Sequence, residues 1–458
     1  MTTTTARVRR FTERAATDEG ARWGFWIAFA VGVVVVVVVS REQWFIRDDW
    51  ALVITRSVVR ESAGWREWLF SAQDGHWLTV PVLIYRAIQN VFGLGSYLPF
   101  LVPNLLAHVA AVLLVRVICR RCGVSAWTTT LVCITLLVFG AGWENIIFAV
   151  QISFNLSLVA FLAQVVLVDH DGPPDRRDIV GAGFAVIGVM SSGFAPIFIG
   201  GIGLLLVLRK RWWALAIAVI PQGLLYAWWY VFWESGSSTA VPSGPKSLVP
   251  EFVARGLGST MRSLVTLPGV AGVALLGTIG IALWRGSGWR AQSVLLALWG
   301  TASVMLIGIG FERVGLGVES AASSRYQYMT AMLLAPAFAL AVDQLLRLAP
   351  PALWAGRIVM AFAIVVNTGW LFSSGHDFSA QSHRERDTFE LSAGSGLMDQ
   401  AEPNRVPEPY SPDVTVRWLP WLVDQGAITA RTPANQAEID RVRVALGLQP
   451  AAAPTPVP

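Results

Sequence analysis

Charge is scarce in this chain. Asp, Glu, Lys and Arg make up 14% of its 458 residues, against about 25% in an ordinary soluble domain. So little charge excludes a set of ordinary water-facing domains and points to lipid as the solvent. Cysteine is rarer still, with Cys119, Cys122 and Cys133 the only three. The Cys119-Arg-Arg-Cys122 spacing without a second pair is too little for a zinc or redox centre, and reads as two thiols near a membrane end. No histidine-rich or thiol-rich metal constellation is visible, and no Gly-rich phosphate loop. What the chain has instead is 54% hydrophobic residues and 21 tryptophans, arranged in repeated apolar blocks. The net charge of +5 does not point to nucleic acid, because many basic residues cluster at the ends of those blocks, where they set membrane orientation.

The first block, Trp23 to Val39, is uncharged and follows Arg7, Arg9, Arg10, Arg14 and Arg22. It is longer than the apolar core of a usual signal peptide and is expected to be an uncleaved first helix with a cytoplasmic segment, 1–22, before it. Further blocks follow at roughly Tyr97–Val115, Trp127–Gly142, Ile146–Val168, Ile179–Ser191, Phe194–Leu208, Trp212–Trp233, Val265–Trp284, Ala291–Ile309, Tyr326–Leu346 and Ile358–Phe372. Ile179–Ser191 and Phe194–Leu208 fall short of the ~20 residues of a full span and suit a hairpin of short helices around Ser192-Gly193. The expected fold is all-α and polytopic, with about eleven passes. On that count the inside connections carry Arg116/Arg120/Arg121, Arg176/Arg177, Arg209/Lys210/Arg211, Arg285/Arg290 and Arg347/Arg357, while the turn at Gly142–Asn145 carries no basic residue. This positive-inside pattern predicts residues 40–96, 234–264, 310–325 and the tail on the outer face of a plasma (inner) membrane.

The outer loop, 40–96, has a pattern of its own. Ser57–Phe70 and Thr79–Phe92 mix apolar residues with arginine, glutamate and tryptophan, which predicts short helices along the interface. The chain divides into a membrane domain at 23–373 and a polar, proline-richer segment at 374–458. That segment has one helical pattern at Ala434–Leu448 and a proline-alanine end expected to be disordered, and suits either a small outer module or a draped tail.

The layout resembles the GT-C superfamily of polyprenyl-phosphate-sugar-dependent glycosyltransferases, which includes protein O-mannosyltransferase-like and lipid A aminoarabinose transferase-like branches. The resemblance spans roughly 20–375. It is carried by Phe45-Ile46-Arg47-Asp48-Asp49-Trp50, Gly75-His76-Trp77-Leu78-Thr79-Val80-Pro81, Phe92-Gly93-Leu94, Asn104-Leu105-Leu106-Ala107-His108, Trp143-Glu144-Asn145 and Ser324-Arg325-Tyr326. The order of these features is more specific than any one of them, and Asp-Asp-Trp stands where the family more often has Asp-Glu or Asp-x-Asp.

The resemblance implies attack by an acceptor hydroxyl on the anomeric carbon of a lipid-phosphate sugar. It needs a base and cations or dipoles for the departing phosphate, but no nucleotide or dedicated cofactor. Adjacent side chains diverge, so one of Asp48 and Asp49 is expected to be the base while the other orients or binds. Alignment with the family's acidic pair favours Asp48. The resemblance makes Glu144 a second acid, and Arg325 with Tyr326 a phosphate site, for which a guanidinium fork is suited. Arg313 is a second candidate there. His76 reads equally as a sugar or phosphate ligand and as a solvated loop histidine. Asn104 and His108 share a helix face and suit interhelical hydrogen bonds. Asp48, Asp49 and Glu144 would hold a divalent cation only if they converge, and no metal is assigned. The expected partners are a polyprenyl-phosphate sugar, membrane lipid and an envelope acceptor such as a protein, glycan or glycolipid. A transporter or flippase of a lipid-linked glycan is the competing reading, but it would place ionisable groups near the bilayer midplane.

Overall fold

The computed structural model describes residues 18–234, 244–266, 277, 288–348 and 352–448. Nearly all of the expected span at Val265–Trp284, most of the N-terminal segment and the proline-alanine end lie outside the described residues. Helix accounts for nearly all the regular structure, and among the described residues the only β pairing is an isolated bridge between Gln73 and His76. The chain is an all-helical, multi-pass membrane protein.

The first helix, α1 (Asp18–Ser40), ends after the valine run. Short helices α2 (Arg56–Ala63), α3 (Trp65–Phe70) and α4 (Thr79–Phe92) form the loop that follows, close to the interfacial segments expected from their mixed composition. The chain then crosses in α5 (Leu98–Arg121) and returns in α6 (Ala126–Leu137), whose start is capped by the Ser125 side chain. A buried turn containing α7 (Trp143–Ile147) leads into α8 (Ile152–Val168).

Helices α9 (Arg176–Val189) and α10 (Ala195–Leu208) make the expected hairpin. Each has 14 residues and so reaches only about 21 Å, short of a hydrocarbon core roughly 30 Å thick. Next come α11 (Trp212–Ala218) and α12 (Ile220–Trp233), then α13 (Val249–Val265), α14 (Trp289–Arg313) and α15 (Ser324–Leu348). Among the described residues seven helices are long and apolar enough to span, or eight if the bent pair Ala126–Leu137 and Gly140–Ile147 is one crossing. The expected count of about eleven included the two short hairpin helices and the segment that is not described.

Two elements depart from the sequence pattern. The first, α13, lies where only an outer loop was expected. It is amphipathic, burying Phe252, Met261 and Leu264 while exposing Glu251 and Arg255, so its mean hydropathy never marks it as a span. The second is α16 (Ala352–Gly394), a single 43-residue helix. It runs straight through residue 373, where the apolar block stops, because the polar stretch after Phe372 holds no proline and its lone Gly375 weakens a helix without ending it. Its C-terminal half buries Phe378, Phe389 and Leu391. The chain then folds back through α17 (Leu419–Asp424) and α18 (Gln436–Ala445), the latter capped by the Asn435 side chain. Val414, Leu419 and Leu422 join the same hydrophobic core as Trp44, Trp50 and Tyr97, so the tail up to residue 448 packs on the first loop as a folded module.

Candidate functional site

The loop after α1, the buried turn before α8, the start of α15 and the folded tail meet at one end of the bundle. Asp49 is fully buried there. Its Oδ1 accepts from the Tyr85 hydroxyl at 2.6 Å and its Oδ2 from the Tyr97 hydroxyl at 2.9 Å, with the Ile46 N–H at 3.3 Å. Burial pushes its carboxyl up to about 7, although the three donors pull the other way. Both oxygens are occupied, which makes Asp49 an anchor between the loop, α4 and α5. Its neighbour points elsewhere. Asp48 is exposed to solvent and lies within the field of several charged side chains. Burial raises its pKa, Arg325 opposes that rise, Asp74 and Asp413 add to it, and Arg47 opposes it.

Glu144 is buried between two guanidinium groups. Arg47 Nη1 lies 3.7 Å from Oε1 and Arg325 Nε lies 3.7 Å from Oε2. The position of Glu144 follows from the turn that carries it. Its N–H donates to Ser324 Oγ at 3.0 Å, which ties it to the residue before Arg325. Asn104, on α5, donates to the carbonyls of Asn145, Ile146 and Phe148 and accepts from Asn155 at 2.7 Å. Gly140 lets this turn reach α16: a Cβ there would sit 2.4 Å from the Asn367 carbonyl oxygen and 2.7 Å from the Leu371 nitrogen. His108 bridges from α5 to Tyr328 Oη at 2.8 Å and the Leu137 carbonyl at 3.0 Å, in the interhelical role its spacing suggested.

His76 is held by the hairpin between α9 and α10. The Gly193 N–H donates to its Nδ1 at 3.0 Å. A ring nitrogen that accepts carries no proton, so the neutral ring bears hydrogen on Nε2 and has a donor to offer. Burial holds its pKa down at about 4, with Asp74 opposing and the charges of Arg313 and Arg325 adding to the depression. Gly193 is required at this spot, since a Cβ would fall 2.3 Å from Nδ1. Tyr326, next to Arg325, lies within the field of Arg325, Arg313 and Glu144. The expected residues Asp48, Glu144, His76, Arg325, Tyr326 and Arg313 therefore gather at one end of the bundle, while Asp49 faces into it.

Three contributors were not singled out from sequence. Arg47 has a left-handed backbone, φ 52°, uncommon for a residue with a side chain and frequent at functional sites. Its N–H donates to Ser411 Oγ at 2.9 Å, and Ser411 in turn donates to Glu385 Oε2 at 2.6 Å. Its guanidinium lies 5.9 Å from the ring centres of Phe378 and Tyr410. Asp74 is likewise left-handed, φ 50°, and the adjacent Gly75 marks that turn in the sequence. Asp413, which accepts from Thr55 Oγ1 at 2.5 Å, sits in the tail and had no signal at all.

The carboxylates do not pool for a cation. Asp49 is taken by tyrosines and Glu144 by arginines. Among the described residues, the one cluster with metal-ligand geometry is His170, Asp175 and Asp178, at the opposite end, with ligand atoms within 4.8 Å of one another. A guanidinium already serves as its cation, because Arg211 Nη2 lies 3.0 Å from both His170 Nε2 and Asp178 Oδ2.

No protein-family model matches the chain, and no curated protein is significantly similar to it. Among solved structures it is similar to ArnT from Cupriavidus metallidurans in the apo state, with a TM-score of 0.49, 12% identity, and 89% of this chain and 90% of that one covered. It is also similar to ArnT from the same organism bound to undecaprenyl phosphate, with a TM-score of 0.49, 13% identity, and 93% and 88% covered. Shared architecture does not carry chemistry, so the functional reading rests on the residues of the site.

Proposed function

We propose that the chain is an integral-membrane glycosyltransferase that moves a monosaccharide from a polyprenyl-phosphate donor to an acceptor hydroxyl on the outer face, with Asp48 as base. The observation that carries this reading is the meeting of an accessible carboxylate and a guanidinium from distant parts of the chain. Asp48 supplies the first and Arg325 the second, near enough for its charge to act on the carboxyl, at the end of a membrane-spanning bundle. A raised pKa makes Asp48 a stronger base than an ordinary aspartate, and a positioned base contributes about 10²–10⁴-fold.

In this mechanism the acceptor oxygen bonds to the anomeric carbon as Asp48 takes its proton. The bond from that carbon to the phosphate oxygen breaks on the opposite face, with inversion. Arg325 takes the developing charge through bidentate hydrogen bonds, aided by Arg47 and Arg313, and the His76 Nε2–H donates to a phosphate or sugar oxygen. Glu144 spaces the two arginines and offsets part of their charge before the donor arrives. Asp49 holds the loop on which Asp48 stands and plays no part in proton transfer. Ionisable groups within the spans, such as His108, are tied to neighbouring helices, unlike the free midplane groups of a transporter.

The reading is tested by transfer from radiolabelled polyprenyl-phosphate monosaccharides to envelope extracts. Native protein is expected to transfer label, and Asp48→Asn to lose at least ~10²-fold in rate at unchanged expression. Full activity in Asp48→Asn would remove the base assignment.

A further inference from the structure

Arg47 faces two spaces. On one side its guanidinium approaches Glu144. On the other it lines an open cavity of about 430 Å³ between the C-terminal half of α16 and the folded tail, together with Gln381, Arg384, Glu385, Glu408 and Tyr410. This volume falls within the roughly 300–1,000 Å³ usual for small-ligand sites. The lining, completed by Thr388 and Arg441, is unusual for a membrane protein, being charged, amide and hydroxyl side chains plus one aromatic. Tyr410 is 63% exposed, so its ring has a free face although Arg47 lies near it. The polar groups are held rather than loose: Gln381 accepts from Arg47 Nη2 at 3.4 Å and donates to Glu385 Oε1 at 3.1 Å, and Glu385 also takes Ser411.

Fixed carboxylate, amide and guanidinium groups around one open aromatic face match a sugar. Hydroxyls both donate and accept, and the C–H face of a pyranose or furanose packs on a ring. An apolar peptide or an acyl chain would find few partners here.

We propose that this cavity binds the non-reducing end of a glycan acceptor and delivers its hydroxyl to Asp48 past Arg47. The proposal rests on the transferase reading above and narrows its acceptor to a carbohydrate chain. Arg47 then serves both substrates, because its charge borders the donor site while its outer edge borders the acceptor.

The full-length protein in nanodiscs, without donor, would be titrated with soluble di- and trisaccharides of mannose, glucose, galactose and arabinose, followed by saturation-transfer NMR. At least one is expected to bind, and Tyr410→Ala to weaken it about tenfold, the scale of one lost stacking contact. Glu408→Gln is expected to weaken it as well. In transfer assays the same variants should raise KM for that glycan about tenfold while moving KM for the donor less than twofold. Unchanged binding and unchanged acceptor KM in both variants, or saturable binding of a serine/threonine peptide in place of any glycan, would overturn the proposal. Glycan binding that depends on Tyr410 in a protein with no transfer activity would instead uphold the cavity and sink the transferase reading.

Discussion

Asp48 and Asp49 are neighbours in the chain and have unlike surroundings. Asp49 is fully buried among tyrosines, and its buried charge must be stabilised by hydroxyl donors. Its folded-state value of about 7 stands above the ordinary carboxylate range. Below that range both folded and unfolded forms are protonated. As pH rises through 7, the folded form gives up a proton it had kept, and the stability held by the protonated anchor is lost. The melting temperature of native protein minus that of Asp49→Asn should therefore fall between pH 5 and pH 8 in thermal unfolding in detergent, and a flat or rising difference would contradict the assignment.

For Asp48 the readout is the rate. As the proposed base it must be ionised to act, so the acid limb of kcat/KM should lie above the ordinary aspartate value of ~4. Asp413→Asn removes a carboxylate that raises its pKa and should shift this limb to lower pH, whereas Arg325→Gln removes a cation that lowers it and should shift the limb upward. Equal limbs in all three proteins would disconnect Asp48 from the rate.

At the scale of elements, the site is built by close approaches. Gly140 brings the Glu144 turn against α16, Gly193 brings the α9–α10 hairpin onto His76, and the tail reaches back to Arg47. The last contact is the least expected, since residues 374–458 are polar and proline-rich. Composition describes what a segment cannot bury by itself, but this segment adds Val414, Leu419 and Leu422 to a core already present. Ser411 then fixes the strained Arg47 backbone. Ser411→Ala removes two hydrogen bonds, the one from the Arg47 N–H and the one to Glu385, each worth about 1 kcal/mol, and should lower kcat/KM by roughly five- to tenfold or more along with some loss of melting temperature. An unaltered rate would mean that Arg47 holds its place without the tail.

At the scale of the whole molecule, the two ends differ in kind. The site end presents the exposed Asp48 to solvent. The opposite end is closed by ion pairs, with Asp169 bound to Arg209, to Arg290 at 3.2 Å and to Arg121 at 3.8 Å, which joins the ends of α8, α10, α14 and α5. In the proposed orientation this arginine-rich end faces the cytoplasm. Tyr410→Cys in intact cells should then react with a membrane-impermeant maleimide, whereas Asp171→Cys should react only after permeabilisation. The native cysteines are buried and give little background. The reverse pattern would put Asp48 on the cytoplasmic side and end the proposal for an outer-face donor.

Much of the architecture was legible because lipid imposes a coarse rule: long uncharged blocks must be helices, and basic residues collect where the chain returns to one side. That rule marked α1, the interfacial helices of the first loop, the short hairpin and the acidic pair after the first block. It was silent on α13, whose one apolar face averages out in a linear window, and on α16, which continues as helix in water after its apolar stretch has ended. Which aspartate is exposed, which glutamate lies between arginines, and why Arg47 needs Ser411 depend on side chains 36 to 364 residues apart. Hydropathy is a property of each segment alone, whereas charge pairing and burial exist only once distant segments touch. The amino-acid order thus determined a membrane bundle with acids at one rim, and tertiary contact alone decided which of those acids is a buried anchor and which is exposed.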